Sequence, residues 1–400
     1  MKKKIAVVGT GTAGIVSLSF CLSHIPSDWE VHSVYDPSIP ILGIGESTQS
    51  SIPHVLYEGA RFTLLKDAHE LDATIKHGVK YVGWRNHDIF TNILPPSHAM
   101  HFNNFKLKEF CFRRFKDIWK DKFFVCETKV LDIVNEESCA KIITNEKDLK
   151  YDYVIDCRGY PENYTEYNIE DSILVNHCLV HTIKTPGNWN WTYHIAHRNG
   201  WMFGIPLMTR QGWGYLYNDT ITEKSDAIDD ISERFKIKKE ELNLKEFSFK
   251  NYSAKKFIDH RIIKNGNRAL FLEPIEAMSG MFYDGLIRNA FDVIFDFKTE
   301  DDANKIIIDG ANFIVTFISF IYHGGSLYDS SFWKMAKEKC NFRLSKDDHF
   351  NMCLNHLKNK NIEDRTKRDG FGMFTTPSWV DFDKQFMYNY ITNKEESLEW

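Results

Sequence analysis

A chain of 400 residues that is 43% hydrophobic and 14% aromatic has an ordinary globular composition and can bury a large core. Its formal net charge of −5 gives no whole-chain attraction to nucleic acid or to an anionic membrane. The eight cysteines, Cys21, Cys111, Cys126, Cys139, Cys157, Cys178, Cys340 and Cys353, form no C-x-x-C pair, and no His/Cys run has zinc spacing, so scattered thiols and no metal are expected.

The basic start, Met1 to Lys4, is not read as a secretory leader, because glycines interrupt the apolar stretch behind it. Ile5 to Val8 is a short apolar, β-branched run. Glycines follow, and then Ile15 to Leu22 has helical character, giving strand, tight turn and helix. Val31 to Tyr35 reads as the next parallel strand. Phe123 to Val134 and Lys141 to Ile155 alternate as antiparallel strands do, the second running into Asp156-Cys157-Arg158-Gly159 and returning to the nucleotide-binding sheet.

Asn188 to Tyr217 is dense in tryptophan, glycine and tyrosine, which suits twisted strands walling an aromatic-lined pocket. Ala269 to Leu272 is strand-like and leads into Glu273-Pro274 and a helical stretch, and the rest to Trp400 reads mainly as amphipathic helix. Phe313 to Tyr322, interrupted by Thr316 and Ser319, falls short of the roughly 20 residues needed to cross a bilayer. A soluble cytoplasmic protein is expected. With no repeat or low-complexity linker, the expectation is an α/β body over 1–298, with substrate-pocket segments interleaved near 50–110 and 180–255, and a mainly helical part over 299–400 packed on it.

Gly9-Thr10-Gly11-Thr12-Ala13-Gly14 follows a strand and opens a helix, and Asp36 closes the next strand 22 residues after Gly14. Gly9 suits the tight turn, Gly11 lets backbone approach a pyrophosphate, and Gly14 allows close helix–strand packing. Free amides at Thr12 and Ala13 and the positive helix end favour phosphate. Asp36 suits ribose hydroxyls without a 2′-phosphate. A glycine-rich turn without ligand is the bland alternative, and the fingerprint alone does not separate FAD from NAD.

Four further segments decide for FAD. Gly43-Ile44-Gly45-Glu46-Ser47-Thr48 resembles the G-x-G-E-x-T element of flavin-dependent halogenases, the tryptophan halogenases being the best-known branch. Gly200-Trp201-Met202-Phe203-Gly204-Ile205-Pro206 is similar to that family's W-x-W-x-I-P signature, with Phe203 in place of the second tryptophan. Phe271-Leu272-Glu273-Pro274-Ile275-Glu276 resembles its F-L-E-P-L-E stretch, and Thr74 to Trp84 resembles the segment carrying its catalytic lysine, in a register that puts Lys76 there. Asp156-Cys157-Arg158-Gly159 and Asp329 to Trp333 add weaker matches. All run in family order along nearly the whole chain.

The resemblance implies the monooxygenase-like FAD fold of Rossmann type, with Gly45, Glu46, Ser47 and Thr48 beside the flavin. It implies FAD used as FADH2, a halide, and an electron-rich aromatic substrate such as an indole or phenol, free or tethered to a carrier protein. In that chemistry a halide becomes hypohalous acid, which Lys76 relays to one ring carbon, and Glu276 stabilises the ring cation and takes its proton. Trp201, Phe203, Ile205 and Pro206 form the wall that keeps substrate from the flavin.

The family follows its glutamate with Ser-Thr-Gly, whereas Ala277-Met278-Ser279-Gly280 follows here. The halide amides fall on Met278 and Ser279, or on Ser279 and Gly280 with a one-residue shift. Loss of the serine hydroxyl and the presence of Met278 suit bromide or iodide better than strongly hydrated chloride. No second glycine fingerprint exists for NAD(P)H, so a separate flavin reductase is expected.

The residue-level alternatives are plain. Lys76 is otherwise a surface lysine, with Lys80 four residues on; Glu276 is otherwise a helix N-terminal acid after Pro274; Trp201 and Phe203 are otherwise core aromatics. Trp189, Trp191, Trp213, His87 and Trp333 are candidates for stacking a flat substrate. At the level of function, the rivals are a flavin-dependent aromatic hydroxylase and an FAD-binding protein without turnover.

Overall fold

The structure is a computed structural model, and it describes residues 2–41, 43, 46–85, 88–91 and 99–348. The chain forms two compact, sequence-interleaved units: 1–75 with 96–169 and 252–308, and 76–95 with 170–251 and 309–400.

In the first unit the strand Lys4–Val8 lies between Glu30–Tyr35 and Tyr153–Asp156, parallel to both. Ile5, Ala6 and Val7 are wholly buried. A strand covered on both faces reads as a continuous apolar run, which is why Ile5 to Val8 shows no alternation. The six-stranded sheet runs Ile258–Asp259, Ile262–Lys264, Tyr153–Asp156, Lys4–Val8, Glu30–Tyr35, Phe123–Glu127, with only its first pair antiparallel.

Phe123–Glu127 corrects the sequence reading: it is a parallel edge strand beside Glu30–Tyr35. Phe123 is buried while Phe124 and Val125 are exposed, as befits an edge strand, and the pairing direction of an edge strand is set by its distant neighbour and not by its own sequence. The antiparallel ladder is Val130–Asn135, Ala140–Thr144 and Leu149–Tyr151. The helix Thr12–His24 is buried from Ala13 to Leu22 and packs against the helices Ser51–Ala60 and Ser279–Ile294. Its C-terminal end is closed by Lys122, whose Nζ donates to the carbonyls of Leu22 (2.8 Å) and Ile25 (2.5 Å), where a cation complements the helix dipole.

The second unit holds a seven-stranded sheet in the order Leu244–Ser248, His177–Ile183, Gln211–Tyr217, Gly200–Pro206, Thr192–His197, Val79–Val82, Ile89–Thr91. All its pairs are antiparallel except Thr192–His197 with Val79–Val82. One face buries Leu179, Ile195, Met202, Trp213 and Tyr215 against Ala227 and Ile231 of the helix Lys224–Phe235.

Glu300–His323 is a single helix of 24 residues, much longer than its apolar core from Phe313 to Tyr322. It is long and apolar enough to cross a membrane, yet 72% of its most apolar window is buried inside the protein. Glu300, Asp301 and Asp302 crowd its first turn, where acids suit the dipole. These are the features of a core helix.

Candidate active site

The turn after the first strand has the shape the glycine pattern requires. Gly9 holds φ +101°, and a Cβ there would lie 2.6 Å from the Cys157 carbonyl oxygen. A Cβ on Gly14 would lie 2.1 Å from the Gly9 oxygen. A Cβ on Gly11 would have no atom within 4 Å beyond its chain neighbours. Gly11 is the N-cap of the helix Thr12–His24 and supplies no capping side chain, so the first-turn amides at Thr12, Ala13 and Gly14 have no intrahelical acceptor. Open space in front of an uncapped helix end fits a dinucleotide pyrophosphate. Asp36 follows the strand Glu30–Tyr35, and hydrogen bonds from the Ser38 hydroxyl (2.6 Å) and amide (2.8 Å) hold its carboxyl below the usual range.

Gly45 lies outside the described residues; Glu46, Ser47 and Thr48 run beside Met100–Phe102. The Phe102 amide donates to the Glu46 carbonyl (2.9 Å), Ser47 bridges His101, and the Thr48 amide and hydroxyl both donate to the Met100 carbonyl (3.0 and 2.9 Å). The Glu46 carboxylate is buried and accepts the Asn104 amide at 3.2 Å. Asn104 in turn accepts the Thr12 hydroxyl at 3.0 Å, so this segment is fastened to the glycine turn. Met100–His101 also pairs with Thr74–Ile75, the two residues preceding Lys76.

Glu276 is completely buried. It stands in a one-turn 3-10 segment, Ile275–Ala277, ahead of the helix Ser279–Ile294. It is therefore not a first-turn acid of that helix. Glu276 and Ala277 adopt left-handed backbone, φ +59° and +53°, a conformation that costs a residue with a side chain about 1–2 kcal/mol. The Glu276 carbonyl accepts Nε2 of buried Gln49 at 2.6 Å. Met278, 3% exposed, is the N-cap of the following helix, again without a side-chain cap bond. The amides of Ser279 and Gly280 belong to its first turn and form part of the positive end of its dipole.

In the second unit Lys76 is 0% exposed. It is not a surface lysine; Lys80, four residues on, is partly exposed and pairs with Asp88 at 3.2 Å. Lysine is almost never fully buried without a reason. Its neighbour His194 is also buried. Burial first, and the Lys76 ammonium second, hold that imidazole neutral by depressing its pKa well below the usual histidine value.

His194 stacks edge-on against Tyr81 and Trp201, each at 4.9 Å between ring centroids. Trp201 is wholly buried and donates Nε1–H to the Tyr322 hydroxyl at 2.6 Å. Phe203 and Ile205 are buried on the same strand, and Pro206 closes it.

Two of the stacking candidates are packed as core. Trp213 lies on the opposite sheet face, against Phe235, Trp189 and Tyr193. Trp333 donates to the His197 carbonyl at 2.8 Å and stacks on Trp84. His87 lies outside the described residues. Gln49, Asn104 and His194 join the candidate segments without any motif to announce them, since each acts through a partner distant in sequence.

The family model for tryptophan halogenase matches residues 4–141 and 94–382. The chain belongs to that family. Its members are flavin-dependent oxidoreductases that use FAD and a halide on aromatic substrates. Among similar proteins is the tryptophan 6-halogenase ThaL of Streptomyces albogriseolus, 20% identical over 421 residues, spanning 84% of this chain and 79% of that protein.

The flavin-dependent halogenase Xcc4156 of Xanthomonas campestris superposes with a TM-score of 0.80 at 16% identity, covering 98% of this chain and 90% of that one. A tryptophan halogenase of Shewanella frigidimarina NCIMB 400 gives 0.79 at 16% identity, covering 96% and 88%. These superpositions establish the fold, an FAD-binding Rossmann-like α/β body.

Proposed function

We propose that this halogenase places a halogen on an electron-rich aromatic ring, an indole or phenol, free or carried on a tether, by way of Lys76. The observation that carries the reading is the complete burial of Lys76 at the position where the family's catalytic segment has its lysine. Bound FADH2 supplies the reducing equivalents with which oxygen converts a halide into hypohalous acid.

The chain's own residues do the rest. The amides of Thr12, Ala13 and Gly14, reached past Gly9 and Gly11, hold the pyrophosphate; Asp36 holds the ribose; Gly45 and Glu46 to Thr48 line the flavin. The amides within Met278, Ser279 and Gly280 hold the halide, and the apolar Met278 side chain favours bromide or iodide over chloride. Lys76 donates an N–H to the oxygen of the hypohalous acid, which leaves as the halogen passes to the ring, and so fixes which ring carbon meets it. Fully buried near a neutral His194, its ammonium head is kept from bulk water, which strengthens that hydrogen bond.

Glu276 accepts the proton the ring loses, and Trp201, Phe203, Ile205 and Pro206 keep the ring from the flavin. A separate NAD(P)H flavin reductase delivers FADH2, and the work is done in the cytoplasm. Lys76→Ala tests the relay: halogenated product should disappear while FAD binding and oxidation of supplied FADH2 persist. Product formation that survives the substitution would contradict it.

A further inference from the structure

Glu276 and Ala277 are two successive left-handed residues within the segment to which the reading above assigns the proton acceptor and the halide amides. Neither is Gly, Asn or Asp, so residue type does not favour that backbone. The Ala277 amide closes the turn locally on the Pro274 carbonyl at 3.0 Å, and a contact from outside the segment adds to it. One directed contact from outside is the Gln49 Nε2–H donated to the Glu276 carbonyl at 2.6 Å, from a side chain only 6% exposed.

Three residues on, Ile52 packs on the start of the following helix so closely that a Cβ on Gly280 would lie 2.9 Å from Ile52 Cγ1. Gln49 and Ile52 flank Ser50, the N-cap of the helix Ser51–Ala60. Immediately before them, Thr48 is bonded to Met100 through both amide and hydroxyl. Both contacts to the Glu276–Gly280 segment thus come from one anchored corner of the same unit.

We propose that Gln49 is a positioning residue for halide capture: by holding the Glu276 carbonyl it keeps Glu276 and Ala277 left-handed and so aims the amides of Met278, Ser279 and Gly280. The inference rests on the halogenase reading. A side-chain amide suits the task, because it offers an N–H to the carbonyl without bringing charge beside a halide. Leucine at 49 fills similar volume and removes that donor.

The test uses the full chain loaded with FAD, with bromide as the probe, and compares Gln49→Leu with the double variant Gln49→Leu, Ala277→Gly. Bromide affinity is read at equilibrium from the fluorescence of bound FAD, and bromide KM and kcat are read from turnover with supplied FADH2. Gln49→Leu should weaken bromide affinity and raise bromide KM about tenfold, about 1.4 kcal/mol, with FAD affinity changed by less than about threefold. Glycine adopts left-handed backbone freely, so adding Ala277→Gly should recover at least about threefold of that loss.

Unchanged bromide affinity in Gln49→Leu overturns the inference. A loss that Ala277→Gly does not recover also overturns it, by assigning Gln49 a packing role. If Gln49→Leu does not fold, Gln49→Asn, one methylene too short to reach, is measured with the same expectation. Absence of bromide-dependent product from the unmutated protein would instead sink the halogenase reading, and this inference with it.

Discussion

Thr12 and Glu46 meet through one residue: the Thr12 hydroxyl donates to the Asn104 side-chain oxygen at 3.0 Å, and the Asn104 amide donates to the Glu46 carboxylate at 3.2 Å. The glycine turn and the Glu46–Thr48 segment are therefore linked through Asn104, although 34 residues separate Thr12 from Glu46 in the sequence. Asn104→Ala removes the side-chain link from Thr12. FAD affinity should fall about tenfold, equivalent to one hydrogen bond of about 1.4 kcal/mol. Titration of the apoprotein with FAD, followed by flavin fluorescence, measures it.

The three glycines of the turn should separate by experiment. A methyl group at Gly14 would strike the Gly9 oxygen at 2.1 Å, whereas Gly11 has open space. Gly14→Ala should lower the melting temperature of the apoprotein and lose FAD. Gly11→Ala should leave the apoprotein melting temperature unchanged and lose FAD affinity alone, by at least about tenfold.

Trp201 and Tyr322 are both buried and share a hydrogen bond of 2.6 Å. Tyr322→Phe keeps the ring and leaves the indole N–H without that acceptor, which costs about 1–3 kcal/mol. Urea unfolding should show a lower midpoint in this variant.

Those contacts show what the sequence makes readable. The strand–turn–helix start is legible because glycine spacing is local chemistry, and Lys76, Trp201 and Glu276 are marked by family motifs. Phe123–Glu127 is misread because whether an edge strand pairs parallel or antiparallel depends on a neighbour about 90 residues away. The left-handed pair at Glu276 and Ala277 is invisible because neither residue type prefers that backbone; it depends on Gln49, which no motif marks. His194 is likewise found only once the sheet brings its strand beside Val79–Val82.

Two buried histidines make stability depend on pH. Burial holds His194 well below its ordinary value, and burial with the nearby Arg234 lowers His197 to about 4. A histidine with a depressed folded pKa is neutral when folded and protonated when unfolded, so its contribution is complete above the unfolded value near 6.5 and is lost as pH falls toward the folded one. For His197 that window is about 6.5 down to 4, worth at most about 3 kcal/mol. Thermal unfolding should therefore occur at lower temperature at pH 5 than at pH 7.5. His197→Gln should shrink the difference.

Halogen transfer to an aromatic ring is tested most directly by mass spectrometry of an indole and phenol panel incubated with the protein, FAD, a flavin reductase, NADH and each halide in turn, with catalase present throughout. The expected result is a product whose mass gain follows the halide supplied, bromide or iodide in greater yield than chloride. A gain of one oxygen atom, the same whichever halide is present, would contradict it and identify a hydroxylase.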